Sequence, residues 1–212
     1  MMFATHVACT MEMVDVENMR VDVAVLDEMQ MIGDEHRGWA WSRAFLGIQA
    51  DEIHVCGDPA GVPVIRRLAE LTGDEVEERR YERLSTLTPL HESLNGDYAR
   101  VEKGDCVVAF SRKDIFATRR IIERKTNFRC CVVYGTLPPE TRNTQARLFN
   151  SADSGYDILV ASDAIGMGLN LNIRRIVFST FEKFNGSEVA PTSYTQVKQI
   201  AGRAGRARSL FP

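Results

Sequence analysis

Apolar positions along the chain fall into short runs separated by stretches of helical spacing. Val21 to Leu26 is the first run, the pattern of a buried parallel strand. An amphipathic segment from Asp34 to Ile48 follows, carrying Trp39, Trp41, Phe45 and Leu46. Ile53 to Cys56 predicts a second strand and Val62 to Leu71 a second helix. Val76 to Tyr81 is dense in Arg and Glu and fits at most an exposed edge strand. The opening apolar stretch through Met13 reads as a core strand. Between Leu84 and Gly104 no period holds and Thr, Pro, Ser, Asn and Gly are frequent, which marks a linker over 85–104.

Alternation then restarts. Strand Cys106–Phe110 precedes helix Lys113–Thr126, and strand Phe128–Tyr134 precedes helix Pro139–Phe149, where a proline suits the first helical turn. Strand Ile158–Ala161 runs into a Gly-rich turn, strand Arg175–Thr180 follows, and Thr192–Ala201 is the last helix. Strand–helix units joined by short turns predict an α/β fold with helices on both faces of parallel sheets. The linker divides the chain into a first domain, 1–84, and a second, 105–212.

Composition narrows the classes without choosing one. Two hundred and twelve residues with 44% hydrophobic and 26% charged positions suit a globular protein with a real core. A net charge of −3 excludes a polybasic nucleic-acid binder, so any nucleic-acid contact must come from local clusters. No acid follows Glu188, while Lys198, Arg203, Arg206 and Arg208 do. No apolar run is long enough to span a bilayer, and no membrane partner is expected. The five cysteines contain no Cys-x-x-Cys pair and read as buried reduced thiols. The four histidines form no His-Glu-x-x-His zinc pattern.

Four segments carry chemistry. Asp27-Glu28-Met29-Gln30 places two carboxylates at the C-terminal end of a buried strand, the edge where open α/β sheets bind ligands. A strand-end Asp can hold Mg²⁺ through water, and the adjacent Glu can polarise an attacking water. The plain alternative is an acidic turn. Gln199-Ile-Ala-Gly202-Arg203-Ala-Gly205-Arg206 is more specific, because its five fixed positions would arise by chance in about one such chain in ten thousand. Guanidinium forks fit phosphate oxygens, and two arginines three apart share one helix face. A merely solvated helix end would not interleave glycines, which weaken a helix. Ser162 to Asn170 follows a buried strand with Gly166 and Gly168, a turn whose amides can cradle an anion and whose Ser162 and Asp163 can bond phosphate or ribose. Phe110-Ser111-Arg112 ends another strand with a hydroxyl and a guanidinium suited to a nucleic-acid backbone.

Together, in this order, these segments resemble motifs II, IV, V and VI of the superfamily 2 helicase core of two RecA-like domains. The stretches DEMQMIGDEHRGWAWSRAFLG, HVCGDPA, GDCVVAFSRKDIF, VVYGTLPPETR and ILVASDAIGMGLNLNIRRIVF look more closely like the suppressor-of-var-type ATP-dependent RNA helicases of the mitochondrial degradosome. The resemblance implies ATP-driven unwinding of double-stranded RNA, and often DNA, in the 3′-to-5′ direction. It also implies Mg²⁺, a mitochondrial and sometimes nuclear setting, and an exoribonuclease or polynucleotide phosphorylase as partner. Carried over by position, Asp27 would hold Mg²⁺, Glu28 would orient water, and Gln30 would couple that site to the motif III counterpart His54 to Asp58. Gln199, Arg203 and Arg206 would complete the ATP site, with Arg206 as the γ-phosphate finger and Asp163, Gly166 and Gly168 lining the cleft. Thr10, Ser111, Gly135 and Ser162 would contact phosphates.

One departure stands. No Gly-x-x-x-x-Gly-Lys-[Ser/Thr] loop occurs, and no lysine follows a glycine. That loop holds the β- and γ-phosphates. The sequence therefore reads as the later part of a first RecA-like domain and most of a second, with the missing piece ahead of Met1. A short product that binds RNA or a partner without turnover stays open beside the helicase reading.

Overall fold

The computed structural model of the protein describes residues 5–82, 86–166 and 168–205. The chain divides into two compact units, Met1–Arg80 and Tyr81–Pro212.

In the first unit β1 (Arg20–Leu26) lies parallel to β2 (Gln49–Val55), with Val25 opposite His54 and Leu26 opposite Val55. Helices α1 (Gly38–Gly47) and α2 (Val62–Thr72) connect and follow them. Leu26, Met29, Trp41, Ala44, Phe45, Ile65 and Ala69 form one core. Full burial of a side chain such as Phe45 or Leu26 contributes about 1.5–3 kcal/mol. Proline sits in the first turn of α2, and Gly73 ends that helix in the left-handed conformation at φ +79°. Both helices serve this one core. On the other face of the pair, Val23 and Val25 are 50% and 64% exposed. Among the described residues of this unit no helix joins Val23 and Val25 in a buried core. Residues 5–13 of the opening stretch do not form a core strand. Residues 5–10 are exposed, Met11–Met13 is a 3-10 turn, and no described strand lies beside them to share ladder hydrogen bonds. Val76–Tyr81 likewise pairs with no described strand.

In the second unit four parallel strands run in the order β4 (Cys130–Val133), β5 (Ile158–Ala161), β3 (Asp105–Val108), β6 (Arg175–Phe178). Side chains alternate cleanly between the two faces. Cys106, Val108, Cys131, Val133, Leu159 and Ala161 pack with α4 (Pro139–Asn150) and α5 (Tyr194–Ala201) through Ala146, Phe149 and Ile200. Val107, Cys130, Val132, Ile158 and Val160 pack with α3 (Arg112–Lys125) through Ile115 and Ile122. Every residue of β3, β4 and β5 is buried, which the unbroken apolar runs predict. The stretch ahead of β3 contributes Leu94, Tyr98 and Val101 to the α3 side.

Register at the N-terminal end of this sheet is set by charge. Asp105 is fully buried, and Arg175 donates to it from Nε at 2.9 Å and Nη2 at 2.6 Å. The backbone N–H of Glu102 donates to the same carboxylate at 2.8 Å. After β6 comes an antiparallel hairpin, β7 (Glu182–Phe184) and β8 (Val189–Pro191), which the periodicity does not predict. Three-residue strands are too short to show a period, yet the Asn185-Gly186 pair between them is a turn signal. Cys106, Cys130 and Cys131 are buried, whereas Cys9 and Cys56 are exposed, contrary to the uniform burial expected.

Candidate functional site

The acidic motif sits just past the C-terminal end of β1. Glu28 takes the left-handed conformation at φ 55°, ψ 43°, one of two described non-glycine residues with positive φ. Such strain persists only where surrounding contacts fix it, and it gathers at functional sites. Those contacts are on both sides. The Glu28 amide donates to Asp27 Oδ1 at 2.8 Å, and Trp41 Nε1 donates to the Asp27 carbonyl at 2.9 Å. Met29 N donates to the Cys56 carbonyl at 2.9 Å, tying the turn to the end of β2.

Gln30 spans two motifs. Its Nε2 donates to Glu28 Oε2, and its Oε1 accepts the Asp58 amide at 2.9 Å. A Cβ added at Gly57 would meet Gln30 Oε1 at 2.5 Å and Met29 N at 2.9 Å, so the close approach requires glycine. His54, by contrast, lies on the exposed strand face beside Glu52 at 3.1 Å, away from this chain of bonds. Among the described residues no three His, Cys, Asp or Glu side chains converge as a metal cage. An exposed carboxylate such as Asp27 nonetheless suits Mg²⁺, which keeps waters and takes one or two carboxylates together with phosphates.

In the second unit the strand ends bring together Ser111, Gly135 and the turn after β5. Ser111 caps α3, accepting the Asp114 amide at 3.0 Å. Gly135 is exposed and open, with nothing within 4 Å of an added Cβ. Its carbonyl accepts from Arg142 Nη2 at 2.8 Å, while Arg142 Nε is buried with no hydrogen-bond partner. Ser162 is 8% exposed and its hydroxyl accepts the Ala164 amide at 3.1 Å, so it braces the turn. Thr10 is exposed in the other unit, at the start of the Met11–Met13 turn.

Asp163 opens a 3-10 turn that ends at Gly166, and Gly168 follows at φ +72°. The Asp163 carboxylate already has two partners, Lys183 Nζ from β7 and Gln196 Nε2 from α5, the latter at 2.8 Å. Gln199 lies against Gly166, its nearest side-chain atom 3.6 Å from where a Cβ would stand. Its Nε2 is buried and without a hydrogen-bond partner. A buried donor left unmade costs about 1–3 kcal/mol, which marks this amide as one that a ligand can satisfy.

Arg203 is 9% exposed and donates from Nη2 to the Gly166 carbonyl, joining the last motif to the Gly-rich turn. It does not lie on a helix. Helix α5 ends at Ala201, and Ala204 forms an isolated bridge with Ile173. The expectation that Arg203 shares a helix face with its partner arginine therefore fails, because the interleaved glycines end the helix. Arg206 lies outside the described residues. Trp41, Arg142 and Lys183 were not legible as site residues. Trp41 reads as core, and the other two act through partners far away in sequence or on the backbone.

The chain belongs to the helicases, because residues 85–208, more than half its length, match the helicase conserved C-terminal domain. Residues 1–81 match the DEXQ-box helicase domain of Suv3, so the two parts are those the motifs resemble. Over 210 residues the chain is 55% identical to the mitochondrial DExH-box ATP-dependent RNA helicase DExH18 of Arabidopsis thaliana, a match covering 99% of this chain and 27% of that protein. It is 49% identical over 200 residues to the mitochondrial ATP-dependent RNA helicase SUV3 of Saccharomyces cerevisiae, covering 94% of this chain and 27% of that protein. The chain thus spans about a quarter of the length of these relatives. Dbp5 of S. cerevisiae, solved with RNA and ADP BeF3, shares the fold at a TM-score of 0.61 and 12% identity, covering 88% of this chain and 50% of that one. The fold is accordingly α/β with RecA-like parallel sheets.

Proposed function

We propose that these residues are the water-orienting and phosphate-sensing parts of an ATP-dependent RNA helicase that acts in mitochondrial RNA turnover. The observation that carries this reading is Glu28, held in a strained conformation at a strand end and bridged through Gln30 to Asp58. In this reading Asp27 holds Mg²⁺ through water, a group that neutralises phosphate charge when bound. Glu28 orients the attacking water. Gln30 transmits its position to the segment after β2. The second lobe supplies Gln199, whose amide lacks a partner, with Arg203 and Arg206 as the cationic side and Gly166 and Gly168 as the turn that lets phosphate approach. Asp163 fits as the residue that positions this turn, because its carboxylate is already shared by Lys183 and Gln196.

On the nucleic-acid side Ser111, Gly135 and Thr10 are exposed as phosphate contacts require, and Ser162 braces the turn beside them. Residues 1–84 and 105–212 are the two lobes and 85–104 the connection. An exoribonuclease or polynucleotide phosphorylase is the partner class. The names of these relatives support a mitochondrial setting and give no support to a nuclear one.

The 212 residues taken alone contain no Gly-Lys-[Ser/Thr] loop, which favours RNA binding without turnover for the isolated chain. Fluorescence anisotropy with single-stranded RNA tests the reading. Binding should be independent of sequence and fall steeply with salt, as phosphate contacts dictate. Absence of RNA binding at low salt contradicts it.

A further inference from the structure

Two of the expected phosphate contacts of the second unit, Ser111 and Gly135, each have a chain neighbour with a planar side chain. Arg112 follows Ser111 at the start of α3, and Tyr134 precedes Gly135 at the end of β4. The structure brings them together. The Arg112 guanidinium lies over the Tyr134 ring, 5.1 Å from its centroid. Phe116, one helical turn along α3, meets the same ring edge-on at a centroid distance of 6.1 Å and 68° between planes. Arg112 is exposed, Phe116 is 37% exposed, and Tyr134 is half-buried with its inner side against the α3 core.

This arrangement contributes little as packing alone. A cation–π pair at an exposed site is worth about 0.5–1 kcal/mol, and an exposed phenylalanine adds little to a core that Ile115 and Ile122 already fill. As a recognition surface it is well made. A guanidinium over a phenol offers a planar, cationic outer face on which a base can lie, extending a base–guanidinium–phenol column. Its place between two backbone-contact positions is where a base would hang from a strand held by its phosphates.

We propose that Arg112, Tyr134 and Phe116 form a base-stacking subsite for single-stranded RNA. This rests on the RNA-binding reading above and deepens it, adding a contact that reads the presence of a base but not its identity, since every base has a π-face.

The test measures binding of the 212-residue chain to a short single-stranded RNA and to the same strand carrying one abasic residue at each position in turn. For the unmodified chain, one abasic position should weaken binding about tenfold. Arg112→Ala and Tyr134→Ala should weaken binding of the intact strand by a similar factor, and should remove the sensitivity to the abasic position. Arg112→Lys keeps the charge and loses the plane, so it should behave like Arg112→Ala, whereas Tyr134→Phe should bind like the unmodified chain. The exposed Arg112 keeps the test valid if Tyr134→Ala fails to fold.

Equal affinity for intact and abasic strands, or unchanged binding in Arg112→Lys, overturns the subsite while leaving the RNA-binding reading in place. No binding of any RNA by the unmodified chain overturns both. Displacement of the RNA by adenosine monophosphate in the unmodified chain but not in Tyr134→Ala overturns the assignment to RNA and makes the cluster a free-nucleotide site.

Discussion

The two units are built from the same strand–helix repeat, yet their sheets end up in different surroundings. In the second unit β3, β4 and β5 are buried along their whole length, with α3 on one face and α4 and α5 on the other. In the first, β1 carries four apolar residues in a row from Val23 to Leu26, but only Ala24 and Leu26 are buried, while Val23 and Val25 face outward. An apolar run thus reports that a strand can be covered on both sides, and the number of elements packed on it decides whether it is.

The largest test of that contrast is Arg175→Ala. Removing the guanidinium leaves Asp105 fully buried without its charge partner, which should destabilise the second unit by about 3–5 kcal/mol. Both tryptophans, Trp39 and Trp41, lie in the first unit, so their fluorescence follows that unit alone. In urea, the tryptophan transition should hold its midpoint while the far-ultraviolet dichroism of the second unit melts earlier. Coincident shifts in both signals would show that the units do not unfold separately.

Gly57→Ala is the counterpart in the first unit. Its new methyl would press on Gln30 Oε1 and the Met29 amide, and a forced shift of this kind costs about 1–3 kcal/mol. The tryptophan transition should move to lower urea, with the second unit unaffected. A smaller effect is chemical. Of the five thiols, Cys9 and Cys56 should react with a water-soluble disulfide reagent in the folded protein, and the other three only after unfolding. Burial pushes the Cys130 and Cys131 thiols up to about 12, keeping them protonated. Their contribution to stability is present below the ordinary thiol range near pH 8.5 and is lost as pH rises toward 12, because the unfolded thiols ionise first. Fast reaction of more than two thiols would mean that the second core is open.

Much of this architecture is legible in the sequence. The strands from β3 onward as far as β6, the helices and their parallel arrangement all follow from apolar runs and helical spacing, because those patterns record which faces are buried. The acidic and arginine motifs are legible because their residue types are unusual at fixed spacing. What the spacing leaves out is non-local. The Arg175–Asp105 pair joins residues 70 apart, Lys183 reaches Asp163 across 20, and the left-handed turn at Glu28 depends on Trp41 and Cys56. The end of α5 before Arg203 was readable from Gly202, and the β7–β8 hairpin from Asn185-Gly186.

The central claim, that the strand-end carboxylates and the terminal arginines each serve ATP turnover, is tested most directly by phosphate release. The 212 residues would replace the matching segment of the Arabidopsis relative, which supplies the remaining length. The hybrid should release phosphate in response to RNA. Glu28→Gln should slow turnover by about 10²–10⁴, and Arg206→Ala by at least about 10³, with RNA binding largely intact in both. Turnover unchanged in both variants would contradict the account.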